Sequence, residues 1–189
     1  DLHYPLRRQR QMCIRDSGIS KEHGFSSIVY CCRPESRGFI TLRDQDPHSA
    51  PAIHPNYFQS EQDLIDTRNG FRQTRRVFMQ PAFDEFRGKE INPGNVDNDN
   101  DLNEFIRNKG DTAYHPCGTC KMGKDNTSVV NEKLQVYEIE NLRVVDASIM
   151  PKIITGNLNA TTVMIAEKAS DYILEQSLPA NDVEFYRAG

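Results

Sequence analysis

One segment of the chain has the apolar spacing of an amphipathic helix. Large apolar side chains recur there at every seventh position: Leu64, Phe71 and Phe78. Residues seven apart fall on one face of an α-helix, so the spacing predicts a helix from about Glu61 to about Met79, ended by Pro81. Ser60 followed by Asp63 resembles a capping box, in which each side chain accepts a hydrogen bond from the other residue's backbone N–H.

Two further helices are predicted nearer the C-terminus. A short one lies around three apolar residues: Leu102, Phe105 and Ile106. A final helix is predicted from about Ala160 to about Gln176, with Asn159 as its N-cap. Four residues would form its apolar stripe on a sheet: Val163, Ala166, Ala169 and Ile173.

The strand signals are shorter. Residues 28–32 and 39–42 are rich in β-formers, and Pro34 and Gly38 lie between them, so a β-hairpin is predicted. Residues 52–57 form a short extended segment. After the loop near residue 124, three more strands are predicted: 129–130, 134–137 and 142–146.

The composition narrows the possible functions. The 189 residues carry a net charge of −4, with 37% hydrophobic and 26% charged residues and a mean hydropathy of −0.67. The net charge is negative, so nucleic acid is not expected as a partner. No apolar run is long enough to span a bilayer. Five cysteines, an odd number, favour reduced thiols. The expected location is therefore cytoplasmic, with peripheral association at the inner membrane as the alternative.

Two polar motifs carry the candidate chemistry. The first is Y-H-P-C-G-T-C-K-M-G at 114–123, and the second is G-N-L-N-A at 156–160, where the last helix begins. Oxidising an alcohol removes a proton from oxygen and a hydride from carbon. An imidazole can take the proton because its ordinary pKa of about 6.5 is close to working pH, and a flavin can take the hydride.

These motifs, with E-S-R-G at 35–38, resemble the C-terminal end of the glucose-methanol-choline (GMC) family of FAD-dependent alcohol oxidoreductases, in particular its choline dehydrogenase branch. The resemblance runs from about residue 28 to about residue 176. It implies an α+β and α/β fold that combines part of the antiparallel-sheet substrate domain with the closing strand and helix of the FAD domain. The implied parts are 18–110 in the substrate domain, 111–178 in the FAD domain, and a tail at 179–189.

The resemblance also implies roles for individual residues. His115 would be the catalytic base, and Asn157 would hydrogen-bond the substrate oxygen. Four residues would contact FAD: Asp146 and Ala147 near its ribityl and diphosphate part, and Leu158 and Asn159 under its isoalloxazine ring. The substrate would be a small primary alcohol, with choline favoured over other alcohols. A quinone-like compound or oxygen would be the electron acceptor.

The phosphate-binding element of such an enzyme is not in this sequence. A G-x-G-x-x-G motif would follow a first strand, and none of the 11 glycines forms one. The chain is therefore interpreted as the last third of a longer enzyme, with the N-terminal part of that enzyme as its partner. Alone, it is expected to bind no FAD tightly. Residues 1–17, which show no apolar periodicity, are interpreted as a non-native leader.

Two other classes of function compete with this interpretation. Cys117 and Cys120, preceded by Pro116, match the second half of a zinc deaminase signature, but the H-x-E or C-x-E that must precede it is missing. Two small buried side chains that pack a loop are the favoured interpretation of the pair. A non-catalytic binding module that has kept the tail of the fold is the third hypothesis.

Overall fold

The computed structural model describes residues 24–176, so the leader at 1–17 and the tail at 179–189 lie outside the described residues. Five elements follow one another in the chain: β1 (Phe39–Thr41), β2 (Ala52–His54), α1 (Glu61–Phe78), α2 (Asp99–Lys109) and α3 (Asn159–Leu174). Two 3₁₀ turns interrupt the connections, at Pro81–Phe83 and Ala147–Ile149. Within the described range, no helix is both long enough and apolar enough to cross a membrane.

Helix α1 confirms the prediction from apolar spacing, to within one residue at its C-terminal end. Ser60 is its N-cap, and its hydroxyl accepts a hydrogen bond from the backbone N–H of Gln62 at 3.1 Å. The predicted capping box is wrong, because the Ser60 hydroxyl bonds the N–H of Gln62 and not that of Asp63. The carboxylate of Asp63 accepts hydrogen bonds from the backbone N–H groups of Glu35 and Ser36, from a loop 27 to 28 residues earlier.

Helix α2, also predicted, packs against α1. Three apolar side chains on these two helices are buried: Leu64, Leu102 and Ile106. An ionic contact ties α1 to the start of α2, because Arg72 meets Asp99 at 2.5 Å. Arg75 meets Glu90, which lies in the connection between the two helices, at 2.8 Å. Asp99 lies in the first turn of α2, where a negative charge also interacts favourably with the helix dipole.

The predicted hairpin of 28–32 with 39–42 is wrong. Residues 28–32 form no strand, and β1 pairs instead with β2, antiparallel, with Ile40 opposite Ile53. The extended segment at 52–57 is thus the true partner. Between residues 28–32 and β1, the N–H groups of Glu35 and Ser36 bond Asp63 of α1, so the connecting loop is held on that helix.

The largest hydrophobic cluster comes from the second half of the chain. Its buried members are Val130, Leu134, Ile149, Met150, Leu158, Ile165 and Ala169. The three strands predicted for this region are wrong as continuous strands, since the structure has only isolated bridges there: Met122 with Val130, Val130 with Val136, and Gln135 with Arg143. Positive φ angles at Leu134, Glu138 and Asn141 bend the backbone and interrupt the ladders.

Helix α3 starts where it was predicted, but its details differ. Asn159 is the first helical residue and not the N-cap. Leu158 occupies the cap position in a helical conformation, without a side-chain cap. The predicted apolar stripe is wrong for three of its four residues. Only Ala169 is buried, whereas Val163, Ala166 and Ile173 are exposed, and the buried face includes Ile165 instead.

Candidate active site

The His115 motif begins with a strained backbone. Tyr114 has a φ of 61°, in the left-handed region, which costs a bulky residue about 1–3 kcal/mol. The hydroxyl of Thr112 accepts a hydrogen bond from the Tyr114 N–H at 3.0 Å and stabilises this conformation. His115 follows, half-buried, and Pro116 restricts its backbone to extended conformations. Tyr114 itself is 72% exposed.

Backbone hydrogen bonds fasten this motif to the segment that leads to Asn157. The N–H of Cys120 donates to the Ser148 carbonyl at 3.0 Å, and the N–H of Met122 donates to the Ile149 carbonyl at 2.8 Å. The side chain of Cys117 packs on the same hydrophobic cluster that contains Leu158. Both motifs are therefore attached to one core, although they are more than thirty residues apart in the chain.

Gly118 lies at a point of close approach within the first motif. Its φ is 90°, and an added Cβ would lie 3.2 Å from the Met150 carbonyl oxygen.

We expect Gly118→Ala to destabilise the enzyme by about 1–3 kcal/mol, because an L-residue is strained at this φ. Thermal unfolding of the full-length enzyme measures the effect. Gly88→Ala is the matched control, since a Cβ there meets no atom within 4 Å. Equal midpoints for the two variants would contradict the prediction.

The two cysteines of the motif are free thiols. Burial raises the pKa of Cys117, and the positive charge of Arg37 offsets only part of that rise. Among residues 24–176, no group of three or more His, Cys, Asp or Glu side chains is placed to hold a metal ion. The zinc hypothesis therefore finds no third ligand in the described part of the chain.

The residues around the second motif divide into buried and exposed ones. Asp146 is exposed, and its carboxylate caps the 3₁₀ turn at Ala147–Ile149 by accepting a hydrogen bond from the Ser148 N–H at 2.7 Å. Ala147 is half-buried in the 3₁₀ turn that follows. Leu158 is 4% exposed, so its side chain belongs to the core, whereas Asn157 and Asn159 are exposed.

The N-terminus of α3 is available to a ligand. No side chain caps it, and its first turn is closed by the bond from the Thr162 N–H to the Leu158 carbonyl at 2.9 Å. The backbone N–H groups before Thr162 have no partner inside the helix, as at every helix start. Such groups attract electron-rich atoms. Asn157, with its amide exposed, is two residues before the first helical residue.

A family model described as GMC oxidoreductase matches residues 34–166. The chain belongs to this family. The oxygen-dependent choline dehydrogenase of Klebsiella pneumoniae subsp. pneumoniae is 52% identical over 175 residues, covering 92% of this chain and 32% of that protein. The GMC chain thus spans about a third of the length of the curated relatives it matches.

Solved structures confirm the fold class. Pyridoxine 4-oxidase from Mesorbium loti aligns with a TM-score of 0.73 and 31% identity, covering 78% of this chain and 29% of that one. A formate oxidase variant from Aspergillus oryzae, described for its FAD modification, aligns with a TM-score of 0.72 and 32% identity over 76% of this chain and 26% of that one. The mixed fold expected for a C-terminal GMC segment is therefore shown.

Sequence reasoning missed two features of this GMC chain. Periodicity carries no signal for the left-handed backbone of Tyr114, since residues with positive φ are recognised mainly when they are glycine or asparagine. Asp63 was assigned to a local capping box, although it is 3% exposed and holds a distant loop. An acidic residue at the third helical position is ordinary, so nothing in the local sequence distinguishes the two roles.

Proposed function

We propose that this chain is the C-terminal portion of a flavin-dependent alcohol oxidoreductase, which oxidises a primary alcohol to an aldehyde. The observation that carries the proposal is the attachment of the His115 loop and the Asn157 segment to one core, through the bonds of Cys120 and Met122 to Ser148 and Ile149. One motif supplies a base, and the other supplies a hydrogen-bonding amide. Family membership supports the same reaction class.

FAD fits the donors that the structure offers. The uncapped N-terminus of α3 and the exposed side chains of Asn157 and Asn159 provide N–H groups, which suit the ring nitrogens and carbonyls of a flavin. The exposed carboxylate of Asp146 suits ribityl hydroxyls, and the buried Leu158 can contribute only its backbone. When bound, FAD supplies the acceptor for the hydride that leaves the alcohol carbon.

In this proposal the protein's own residues handle the alcohol oxygen. His115 accepts the hydroxyl proton, and Pro116 limits the backbone freedom of the loop that presents the ring. The amide of Asn157 donates a hydrogen bond to the oxygen as negative charge develops on it. The oxygen then keeps the electron pair of its former O–H bond and forms the carbonyl of the aldehyde.

Asn157→Ala in the full-length enzyme tests the amide's role. We expect the rate of flavin reduction by substrate to fall by about 10²-fold, as for other lost donors to a developing oxyanion. Anaerobic stopped-flow absorbance measures this rate. Asn126→Ala is the control for an exposed amide outside both motifs. A rate for Asn157→Ala within a few-fold of wild type would contradict the role.

Choline is the favoured substrate. The 52% identical relative is an oxygen-dependent choline dehydrogenase. Tyr114, the exposed residue that precedes His115 in the chain, has an aromatic ring that suits a quaternary ammonium group. The similarity to pyridoxine 4-oxidase favours a non-choline alcohol as the second candidate.

We also propose a domain boundary near residues 110–111 and an oxygen or quinone-like electron acceptor. We further propose a cytoplasmic location, which is supported by the free thiols of the described cysteines.

A pair of isosteric alcohols separates the substrate candidates. Choline is compared with the neutral alcohol in which a tert-butyl group replaces the trimethylammonium group, using anaerobic flavin reduction by the full-length enzyme. A cation–π contact predicts tighter binding of choline, by roughly 0.5–2 kcal/mol. If both alcohols saturate the enzyme at the same concentration, the result argues for a non-choline substrate. No flavin reduction by any alcohol argues against the whole proposal.

A further inference from the structure

Two thiols that are adjacent in the chain lie outside both motifs of the candidate active site. Cys31 and Cys32 are both free, and Cys32 is exposed whereas Cys31 is half-buried. In a regular strand, neighbouring side chains point to opposite faces, which would keep the two sulfur atoms apart. Residues 28–32 form no strand, and the chain bends at residues 32–33. The backbone therefore does not force the two thiols onto opposite sides.

Helix α1 fixes the inner thiol of the pair. The Cys31 thiol donates a long hydrogen bond, of 3.9 Å, to the carboxylate of Asp66. That carboxylate also accepts a hydrogen bond from the side-chain amide of Gln62 at 2.7 Å. Nearby, Val29 packs closely on the helix, because a Cβ added at Gly70 would lie 2.7 Å from the Val29 Cγ1. One sulfur is thus held on α1, and the next residue presents the other to solution.

The spacing of the pair disfavours a disulfide. The peptide bond between the two cysteines is trans, and a trans peptide places consecutive Cα atoms about 3.8 Å apart. Disulfides usually span roughly 4.4–6.8 Å between Cα atoms, so a direct bond between these sulfurs would be strained and easily reduced. A single larger atom between the two sulfurs lengthens the connection and relieves this strain. The pair therefore suits a ligand that forms two bonds to sulfur.

The surroundings of Cys31 favour a ligand that does not release protons to water. Burial raises the pKa of this thiol, the carboxylates of Asp66 and Asp63 add to the rise, and a hydrogen bond from the Arg33 backbone offsets only part of it. A metal ion releases the thiol protons when it binds, and this release is harder when the pKa is raised. A hydrated trivalent arsenical has two hydroxyl groups on arsenic, and these groups take up the two thiol protons.

We propose that Cys31 and Cys32 together bind a trivalent arsenical compound as a cyclic dithiol adduct. Two As–S bonds form and two As–O bonds break, and each thiol proton leaves with one hydroxyl group as water. Arsenic stays trivalent, so the step needs neither an oxidant nor a reductant. Cys32 reacts first because it is exposed, and Cys31 leaves Asp66 to close the ring. The site is separate from the alcohol chemistry of the proposed function.

Titration of the full-length enzyme with phenylarsine oxide tests the site. Native mass spectrometry counts the bound arsenical, and peptide mass spectrometry locates it. We expect one arsenical at this pair in the wild type. Cys31→Ser and Cys32→Ser should each bind it at least about 10²-fold more weakly at this position, because chelation makes the second bond intramolecular. Cys120→Ser, which removes one thiol of the other cysteine pair, should retain the adduct.

Competition with added thiols provides the second measurement. The chelated adduct should resist excess 2-mercaptoethanol, which has one thiol, and be released by 2,3-dimercaptopropanol, which has two. An adduct at Cys32 alone that 2-mercaptoethanol removes would overturn the proposal, as would an arsenical located at Cys117 and Cys120 or no binding to the native enzyme. Cys32→Ser changes an exposed residue and should keep the thermal midpoint of the wild type, which separates lost binding from misfolding. None of these readouts requires turnover.

Discussion

Replacing His115 with alanine in the full-length enzyme is expected to slow flavin reduction by substrate about 10²- to 10⁴-fold. This range is the usual contribution of a positioned general base. Without the imidazole, the alcohol must lose its proton to water while the hydride leaves its carbon. Anaerobic stopped-flow absorbance at saturating alcohol measures the step directly and separates it from reoxidation by the electron acceptor.

The controls for this substitution distinguish chemistry from folding. His48→Ala removes an exposed histidine outside both motifs and should leave the rate unchanged. The bound-flavin spectrum of His115→Ala should match that of the wild type, and added imidazole should restore part of its rate. A rate for His115→Ala within a few-fold of wild type would remove His115 from the mechanism. A variant that loses its flavin would instead indicate a structural role for this side chain.

The predictions that succeeded depend on local information. The spacing of Leu64, Phe71 and Phe78 identified α1 almost to the residue, because a cap at Ser60 and a break before Pro81 are read from neighbouring residues. The residues of the candidate site were proposed from motifs, and their roles stay predictions. Their attachment to one core appeared only in the structure, through the bonds of Cys120 and Met122.

The predictions that failed depend on distant partners. β1 pairs with β2 and not with residues 28–32, because strand propensity describes a segment and not the strand that it meets. The stripe on α3 was centred incorrectly because the helix has apolar residues on two sides, and this chain covers only one of them. Periodicity alone does not show which of two such faces is buried.

Asp63 was placed correctly in α1, but its bonding partners are distant in the sequence. Removing its side chain should lower the free energy of unfolding the most. Its two carboxylate oxygens accept the N–H of Glu35 at 2.7 Å and the N–H of Ser36 at 2.9 Å. The Ser60 N–H also donates to the Ser36 hydroxyl, so the loop is held against the start of α1 at several points. We expect Asp63→Ala to cost about 2–3 kcal/mol, because charge-assisted bonds are lost and the donors are left without a partner.

The readouts for Asp63→Ala are thermal unfolding of the full-length enzyme and hydrogen exchange at the Glu35 and Ser36 amides. Asp66→Ala is the matched control, since this carboxylate is on the same helix but exposed, and its loss should change stability by less than about 0.5 kcal/mol. Faster exchange confined to the Glu35 and Ser36 amides in Asp63→Ala would locate the effect in the loop. Unchanged exchange at both amides would show that these bonds contribute little to stability.

The pH dependence of Asp63 gives an independent test of the same bonds. Burial acts to raise the pKa of this carboxyl, but the hydrogen bonds from Ser36 and Glu35, with the charge of Arg37, outweigh it and lower the pKa. A lowered pKa in the folded state means that the carboxylate stabilises the fold fully above its unfolded value of about 3.9, and that this contribution is lost as the pH falls through the folded value. The stability difference between wild type and Asp63→Asn, whose amide does not ionise, should therefore be constant near neutral pH and shrink below about pH 4. A difference that stays constant well below that pH would mean that the charge of Asp63 does not strengthen its hold on the loop.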